Sequence, residues 1–311
     1  MELGKAGATV YVTGTSSSAQ KYTTDEKAGG TVEETADLIS TTTSGKGIAY
    51  VCDHSDDAQV KDLFDTIRSQ SGRLDILINN AFRIPKSGPD GLFKNFWEEG
   101  GIEAWDAMHS VGLRSHYVAS SYAVPLMRDS PPSPSGNTPM IGMISSFGGL
   151  TYTFNVAYGV GKAGVDRMAK DMAQELRGEG ITVCSFWPGV VMTERMKNVV
   201  DSGDWDKNVG IPLDNAESPA YTGRAIVKVA CDDNKLTKSG NYHVVAELAR
   251  EYGFFDENGT QPPSIRSLKF LVPAYMLDEK TRNLVPDSII PDLKLPFWLM
   301  AGGRPDEDAK I

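Results

Sequence analysis

Cysteine is scarce in this chain: Cys52, Cys184 and Cys231 are the only three in 311 residues, and no two stand in a CxxC pair. So sparse and odd a set argues against a secreted disulfide framework and against a cysteine-based zinc site. Histidine is nearly as thin, and His54, His109, His116 and His243 show no metal-ligand spacing, so no metal is expected. Excess positive charge is also missing. With 41 acidic residues against 31 basic ones the formal charge is −10, which repels nucleic-acid phosphates and anionic headgroups. No apolar run approaches the roughly 20 residues that span a bilayer. The opening MELGKAGATV has neither the basic nor the apolar stretch of a signal peptide. These absences point to a cytoplasmic protein, with peripheral membrane attachment as the alternative, and to no nucleic-acid partner.

Apolar residues, by contrast, make up 40% of the chain, enough for the core of one large α/β domain or two small ones. Strand-like and helix-like segments alternate, the pattern of a parallel sheet covered by helices. ATVYVTG (Ala8 to Gly14), GIAYVC (Gly47 to Cys52), Leu74 to Ile78, MIGMISS, Ile181 to Trp187 and Tyr242 to Val245 read as strands. Between them, TVEETADLI (Thr31 to Ile39) reads as a helix with Thr31 and Glu34 at capping-box spacing. Asp57 to Ile67, Trp105 to Met127, Tyr158 to Arg177 and Tyr221 to Ala230 read as further helices. Ser16 to Gly30 and the Pro/Ser-rich Ser130 to Pro139 read as loops, and the composition changes beyond Gly253.

Several short motifs fall just past strands, where ligands bind in a parallel α/β sheet. Asn79-Asn80-Ala81 closes one strand and Ser145-Ser146 another; Pro188-Gly189 closes a third, with Thr193 completing PGxxxT. Tyr158 and Lys162 are spaced i, i+4, so their side chains leave one helix face a turn apart. Reducing a carbonyl needs a hydride on carbon and a proton on oxygen. A phenol with a pKa of about 10 shuttles protons poorly at neutral pH. An ammonium within about 4–6 Å favours the phenolate. A neighbouring hydroxyl can hold the substrate oxygen where charge develops. Ser146, Tyr158 and Lys162 have the residue types for these three roles.

The ordered set Asp53, NNA, ISSxxG, YxxxK and PGxxxT resembles the short-chain dehydrogenase/reductase family over roughly Leu3 to Phe254. The resemblance implies a Rossmann-type doubly wound parallel sheet and an NAD(P)-dependent oxidoreductase acting on a carbonyl/alcohol pair. It implies Tyr158 as acid/base, Ser146 as the residue that orients substrate, and Lys162 as the one that binds the nicotinamide ribose and lowers the tyrosine's pKa. Ser145 stays as the alternative to Ser146. Asp53 would contact the adenine, Asn79 would line the cofactor channel, and Val191 and Thr193 would meet the carboxamide. NAD-specific sites carry an acid after the second strand. Here Thr15 stands there, followed by three serines and then Lys21, which can accept a 2′-phosphate. NADP(H) is therefore expected, with NAD(H) as the alternative.

Two departures from the family pattern matter. Many members place a catalytic asparagine where this chain has Gly112, within Val111-Gly112-Leu113. The glycine offers only a backbone carbonyl, able to hold a water; one branch of the family shares this feature. The second departure is the opening strand and TGxxxGxG, whose amides approach the pyrophosphate. Thr13-Gly14-Thr15-Ser16-Ser17-Ser18 cannot be that loop, because Ser18 and Gln20 stand where glycines belong and too little chain separates it from Asp53. KAGATVYVTG reads instead as the end of the first helix plus the second strand. The expected fold is thus a sheet lacking its first strand, which would lie between ATVYVTG and LDILIN.

The expected organisation is a nucleotide-binding domain over residues 1–253 and a proline-broken, helical C-terminal extension over 254–311. LKFLVPAYML and LKLPFWLM in that extension are expected on a partner subunit of a homo-oligomer or on a membrane surface, unless they cover their own domain. A small-molecule carbonyl or alcohol is the expected substrate. The rival function is a catalytically inactive, truncated chain that acts at most as a binding or oligomer subunit.

Overall fold

The computed structural model describes residues 1–18, 30–85, 91–133, 135–209, 211–282 and 284–301. In order these form α1 (Glu2–Lys5), β1 (Thr9–Gly14), α2 (Val32–Thr42), β2 (Lys46–Val51), α3 (Asp57–Ser71) and β3 (Ile76–Asn79). Then come α4 (Gly101–His109), α5 (Ser115–Asp129), β4 (Met140–Ile144), α6 (Val156–Glu175) and β5 (Thr182–Trp187). Last are α7 (Glu194–Asp201), α8 (Asp204–Asn208), α9 (Pro219–Ala230), β6 (Tyr242–Val244) and α10 (Val245–Tyr252), with short helical turns beyond.

Local chemistry sets the helix boundaries. At α2 the Thr31 side chain accepts from Glu34 N (3.1 Å) while Thr31 N donates to Glu34 Oε2 (2.9 Å), a reciprocal cap worth about 1 kcal/mol. At α3 the Asp56 carboxylate accepts from Ala58 N, and Gly72 at φ 65° ends the helix. Between these caps Val60, Leu63, Phe64 and Ile67 turn one buried stripe inward. A full burial of each contributes roughly 1.5–3 kcal/mol.

Every strand pairing is parallel. β1 pairs with β2, and β3, β4, β5 and β6 lie side by side in that order. Among the described residues, therefore, the strands form two sheets, and β1 and β3 each keep one edge unpaired. One hydrophobic core nevertheless runs under both: Tyr11 and Tyr50 of the first sheet pack with Leu77, Ile141 and Val183 of the second. All six residues of β5 are buried, as expected of a strand covered on both faces.

The helix expected over Trp105 to Met127 is two helices. Between them the chain kinks at Val111 (φ −119°, ψ 105°) and Gly112 (φ 130°, ψ −18°). The second value lies in the region that favours glycine.

Part of the extension covers its own domain. Phe297 lies edge-on to Trp187 (5.7 Å) and Tyr242 (4.8 Å), and Ile265 joins the core around Trp187 and Tyr221. Trp298 and Met276 point outward, 76% and 71% exposed. Among the described residues no helix is long and apolar enough to cross a membrane.

Candidate active site

Because β3, β4 and β5 are parallel neighbours, the residues after them emerge at one end of the sheet. Past β4, Ser145 and Ser146 part company. The Ser145 hydroxyl is buried and donates to the Lys162 carbonyl (3.1 Å), tying the strand end to α6. The Ser146 Oγ instead accepts from the Tyr158 hydroxyl (2.8 Å) and from Gly148 N (3.1 Å).

Asn155 starts α6 where Tyr158 needs it. Its Oδ1 accepts from Tyr158 N (2.9 Å), and its amide donates to the carbonyls of Gly91 and Leu92 (3.2 Å each). The preceding Phe154 sits at φ 62°, a strained setting for an aromatic residue. Its ring meets Tyr158 edge-on at 4.9 Å, and Phe82 does the same from the other chain segment at 6.0 Å. The phenol is therefore fixed by its helix, by Ser146 and by two rings.

One turn on, Lys162 is 8% exposed. Its Nζ donates to the Ile144 carbonyl (3.2 Å) and stands 4.9 Å from the Phe82 ring centre and 5.7 Å from that of Tyr158. Burial pushes this lysine down to about 8, against the opposing pull of Asp166. Burial also raises the Tyr158 pKa, and the Ser146 hydrogen bond offsets this only in part. The resemblance implied a lowered tyrosine; in this structure burial, reinforced by the Asp166 charge, moves it the other way.

Asp166 extends the i, i+4 series one turn further and was not singled out from the sequence. Its Oδ1 accepts from Ser185 Oγ (2.6 Å) and Trp187 Nε1 (2.9 Å), which binds the Tyr158–Lys162 face of α6 to β5. Burial raises its pKa, against the hydrogen bonds and the Lys162 charge.

The other expected residues are placed as follows. Asp53, after β2, accepts at Oδ1 from Ser55 N (2.8 Å), Ser55 Oγ (2.6 Å) and Arg83 Nη2 (2.8 Å). Burial works to raise its pKa, but Ser55 and the Arg83 guanidinium hold it below the usual carboxylate range. Asn79 is buried and its amide donates to Ser120 on α5 (3.0 Å). Thr15 lies just past β1, partly buried, while Lys21 lies outside the described residues. Val191 and Thr193 sit on the turn after β5; the exposed Thr193 caps α7 by accepting from Met196 N (3.1 Å). Ser146, Tyr158 and Lys162 thus form one contact cluster, whereas Asp53 pairs with Arg83 and Asn79 with Ser120. Among the described residues no group of acidic, histidine and cysteine side chains could hold a metal ion.

Known proteins resemble this chain over most of its length. A family profile described as Enoyl-(Acyl carrier protein) reductase matches residues 3–246. The chain is 36% identical over 307 residues to mouse (Mus musculus) "Dehydrogenase/reductase SDR family member 1", covering 96% of this chain and 90% of that one. The human (Homo sapiens) protein of the same name is 37% identical over 307 residues, covering 97% and 90%. Among solved structures, a putative dehydrogenase from Xanthomonas campestris superposes with a TM-score of 0.65 at 19% identity, over 84% of this chain and 85% of that one. A 3-oxoacyl-[acyl-carrier protein] reductase from Brucella melitensis, solved in complex with NAD, gives 0.63 at 18% identity over 78% and 88%. Extended likeness to two mammalian relatives and a shared parallel α/β fold converge on one answer: the chain belongs to the short-chain dehydrogenase/reductase family.

Proposed function

We propose that this protein is an NAD(P)-dependent oxidoreductase that interconverts a small carbonyl compound and its alcohol. The observation that carries this is the 2.8 Å hydrogen bond between Tyr158 and Ser146, with Lys162 one helical turn away. The cofactor supplies hydride when bound. Tyr158 gives its hydroxyl proton to the substrate oxygen, or takes one from the alcohol in the reverse direction. Ser146 donates a hydrogen bond to that oxygen, in place of its contact with Tyr158. Lys162 meets the nicotinamide ribose and, once charged, favours phenolate on Tyr158. The residue types suit the nicotinamide end: a buried amine and a phenol lie one turn apart on α6, and the turn carrying Val191 and Thr193 follows β5, the parallel neighbour of β4. Asp53 is proposed for the adenine, Asn79 for the channel wall and Thr15 for the ribose, with NADP(H) preferred over NAD(H). Coupled oxidation of NADPH with a panel of carbonyl compounds tests the reading; no turnover and no nucleotide binding would count against it.

We infer further that the two sheets are halves of one sheet, short of a strand between β1 and β3. The parallel pairing within each sheet, the shared core and the unpaired edges of β1 and β3 support this. A glycine turn after such a strand would supply the phosphate-binding amides. The same observation favours a second reading, in which this chain is an inactive binding or oligomer subunit. Residues 1–253 are proposed as the nucleotide-binding domain and 254–311 as its extension. The exposed Ile102 and Trp105 on α4 and Val156 and Val160 on α6 suit a homo-oligomer contact. Trp298 and Leu299 suit a partner subunit or a membrane surface. Sedimentation with and without liposomes separates these.

A further inference from the structure

The turn after β5 owes its shape to a residue far along the chain. Glu217, just before α9, donates its N–H to the Val190 carbonyl (2.7 Å) and accepts at its own carbonyl from Met192 N (2.8 Å). Val191 and Glu217 thereby form a single parallel bridge. The side chain adds a third bond, because Oε2 accepts from Gly189 N (3.0 Å). Gly189 has no left-handed φ to explain it. It is glycine for room: a Cβ there would lie 2.9 Å from Glu217 Oε1 and 3.2 Å from Cδ. Behind this pair, Asp256 at the start of the extension accepts from Ser218 N (2.7 Å) and from the Ser218 hydroxyl.

We propose that Glu217 is a positioning residue that holds the Pro188–Thr193 turn, with Val191 and Thr193 on it, in the shape that receives the nicotinamide end of the cofactor. The cofactor half of this inference rests on the oxidoreductase reading above. Glu217 is 2% exposed, and burial, reinforced by Asp256 and opposed by the Gly189 N–H, pushes it up to about 8. Burial thus favours its uncharged form, and the amide oxygen of a glutamine can accept the same bond from Gly189.

The test uses the full chain and three readouts: amide exchange over residues 188–193 without nucleotide, titration with NADPH and NADH, and turnover with the cofactor concentration varied. In Glu217→Ala, exchange at Gly189 and Met192 is expected to rise at least ~10-fold. Cofactor KM is expected to rise about as much, with kcat changed less than ~3-fold. Glu217→Gln should return both close to the unaltered protein. Gly189→Ala should resemble Glu217→Ala, and the double variant should lose less than the sum, because removing the carboxyl frees the space the new methyl needs. If Glu217→Ala does not fold, Gly189→Ala and Glu217→Gln read the same contact. Unchanged exchange in Glu217→Ala, or Gln as damaging as Ala, overturns the proposal. An opened turn with unchanged cofactor affinity overturns its cofactor half. If the unaltered chain takes up neither nucleotide, the oxidoreductase reading fails, while the exchange measurement still decides whether Glu217 holds the turn.

Discussion

The ring of Phe82 occupies the space where a side chain on residue 112 would go: a Cβ built on Gly112 would lie 2.8 Å from Phe82 Cδ2. The two residues approach from the segment after β3 and from the kink before α5. The same ring stands 4.9 Å from the Lys162 ammonium, a contact worth roughly 0.5–2 kcal/mol when the lysine is charged. At the position where the family pattern implies an asparagine, this chain thus has a glycine with an aromatic neighbour in the vacated volume.

Gly112→Asn should therefore impair the protein rather than improve it. The new side chain meets the Phe82 ring and a φ of 130°, so a stability loss of roughly 1–3 kcal/mol is expected, with lower turnover. Denaturant titration and a turnover assay check this. Higher activity with unchanged stability would mean that the ring yields freely.

Tyr158→Phe removes the hydroxyl that reaches Ser146 and keeps both edge-on ring contacts. In an active preparation kcat should fall at least ~100-fold while the melting temperature barely moves. Near-normal turnover in this variant would remove Tyr158 from the proton path.

NADPH should bind more tightly than NADH. Thr15 offers no acid to hold a ribose 2′-hydroxyl, and the one carboxylate expected near the adenine, Asp53, is already paired with Arg83. Parallel fluorescence titrations decide the matter, and tighter NADH binding counts directly against it.

Stability should decline on both sides of a middle pH. Glu217 has its folded pKa raised from 4.5 to about 8, so its contribution is complete below 4.5 and lost by about 8. Asp256 and Tyr221 are the titratable groups facing it, and the Arg250 charge reaches Tyr221. His116 behaves oppositely: burial, then the Lys162 charge, lowers it from 6.5 to about 3, so its contribution holds above 6.5 and drains away toward 3. His54 is the other titratable neighbour. Each slope is at most about 1.4 kcal/mol per pH unit. Glu217→Gln should flatten the slope above about pH 6.5 and leave the His116 slope unopposed below it, as read from melting temperatures between about pH 5 and 8. A slope identical to that of the unaltered protein would place the alkaline loss elsewhere.

What the sequence disclosed was whatever repeats over a few residues. The Thr31–Glu34 cap, the buried stripe of α3 and the shared face of Tyr158 and Lys162 are all set by spacings of three or four. The break at Val111–Gly112 escaped, because one glycine inside an apolar pattern lowers helix propensity without ending the helix. Asp166 escaped for a different reason. It continues the Tyr158–Lys162 series, but nothing local says that Ser185 and Trp187 will reach it. Glu217 reads as an ordinary acid before a proline, and its tie to Gly189 exists only once β5 and α9 are brought together. The choice between Ser145 and Ser146 also needed geometry, since the two hydroxyls differ only in which way the strand turns them.

The unpaired edges of β1 and β3 bear on how the molecule comes apart. Backbone bonds tie β1 to β2, and others tie β3 through β6, but among the described residues no strand pairing joins the two sets; what joins them is the shared hydrophobic core, the Asp53–Arg83 pair and the Tyr11 hydroxyl on Ser71. Exposed ion pairs of this kind contribute at most about 1 kcal/mol each. The β1–α2–β2 segment should therefore loosen first under mild denaturant, as a separately opening unit, while β4 and β5 stay protected to the end.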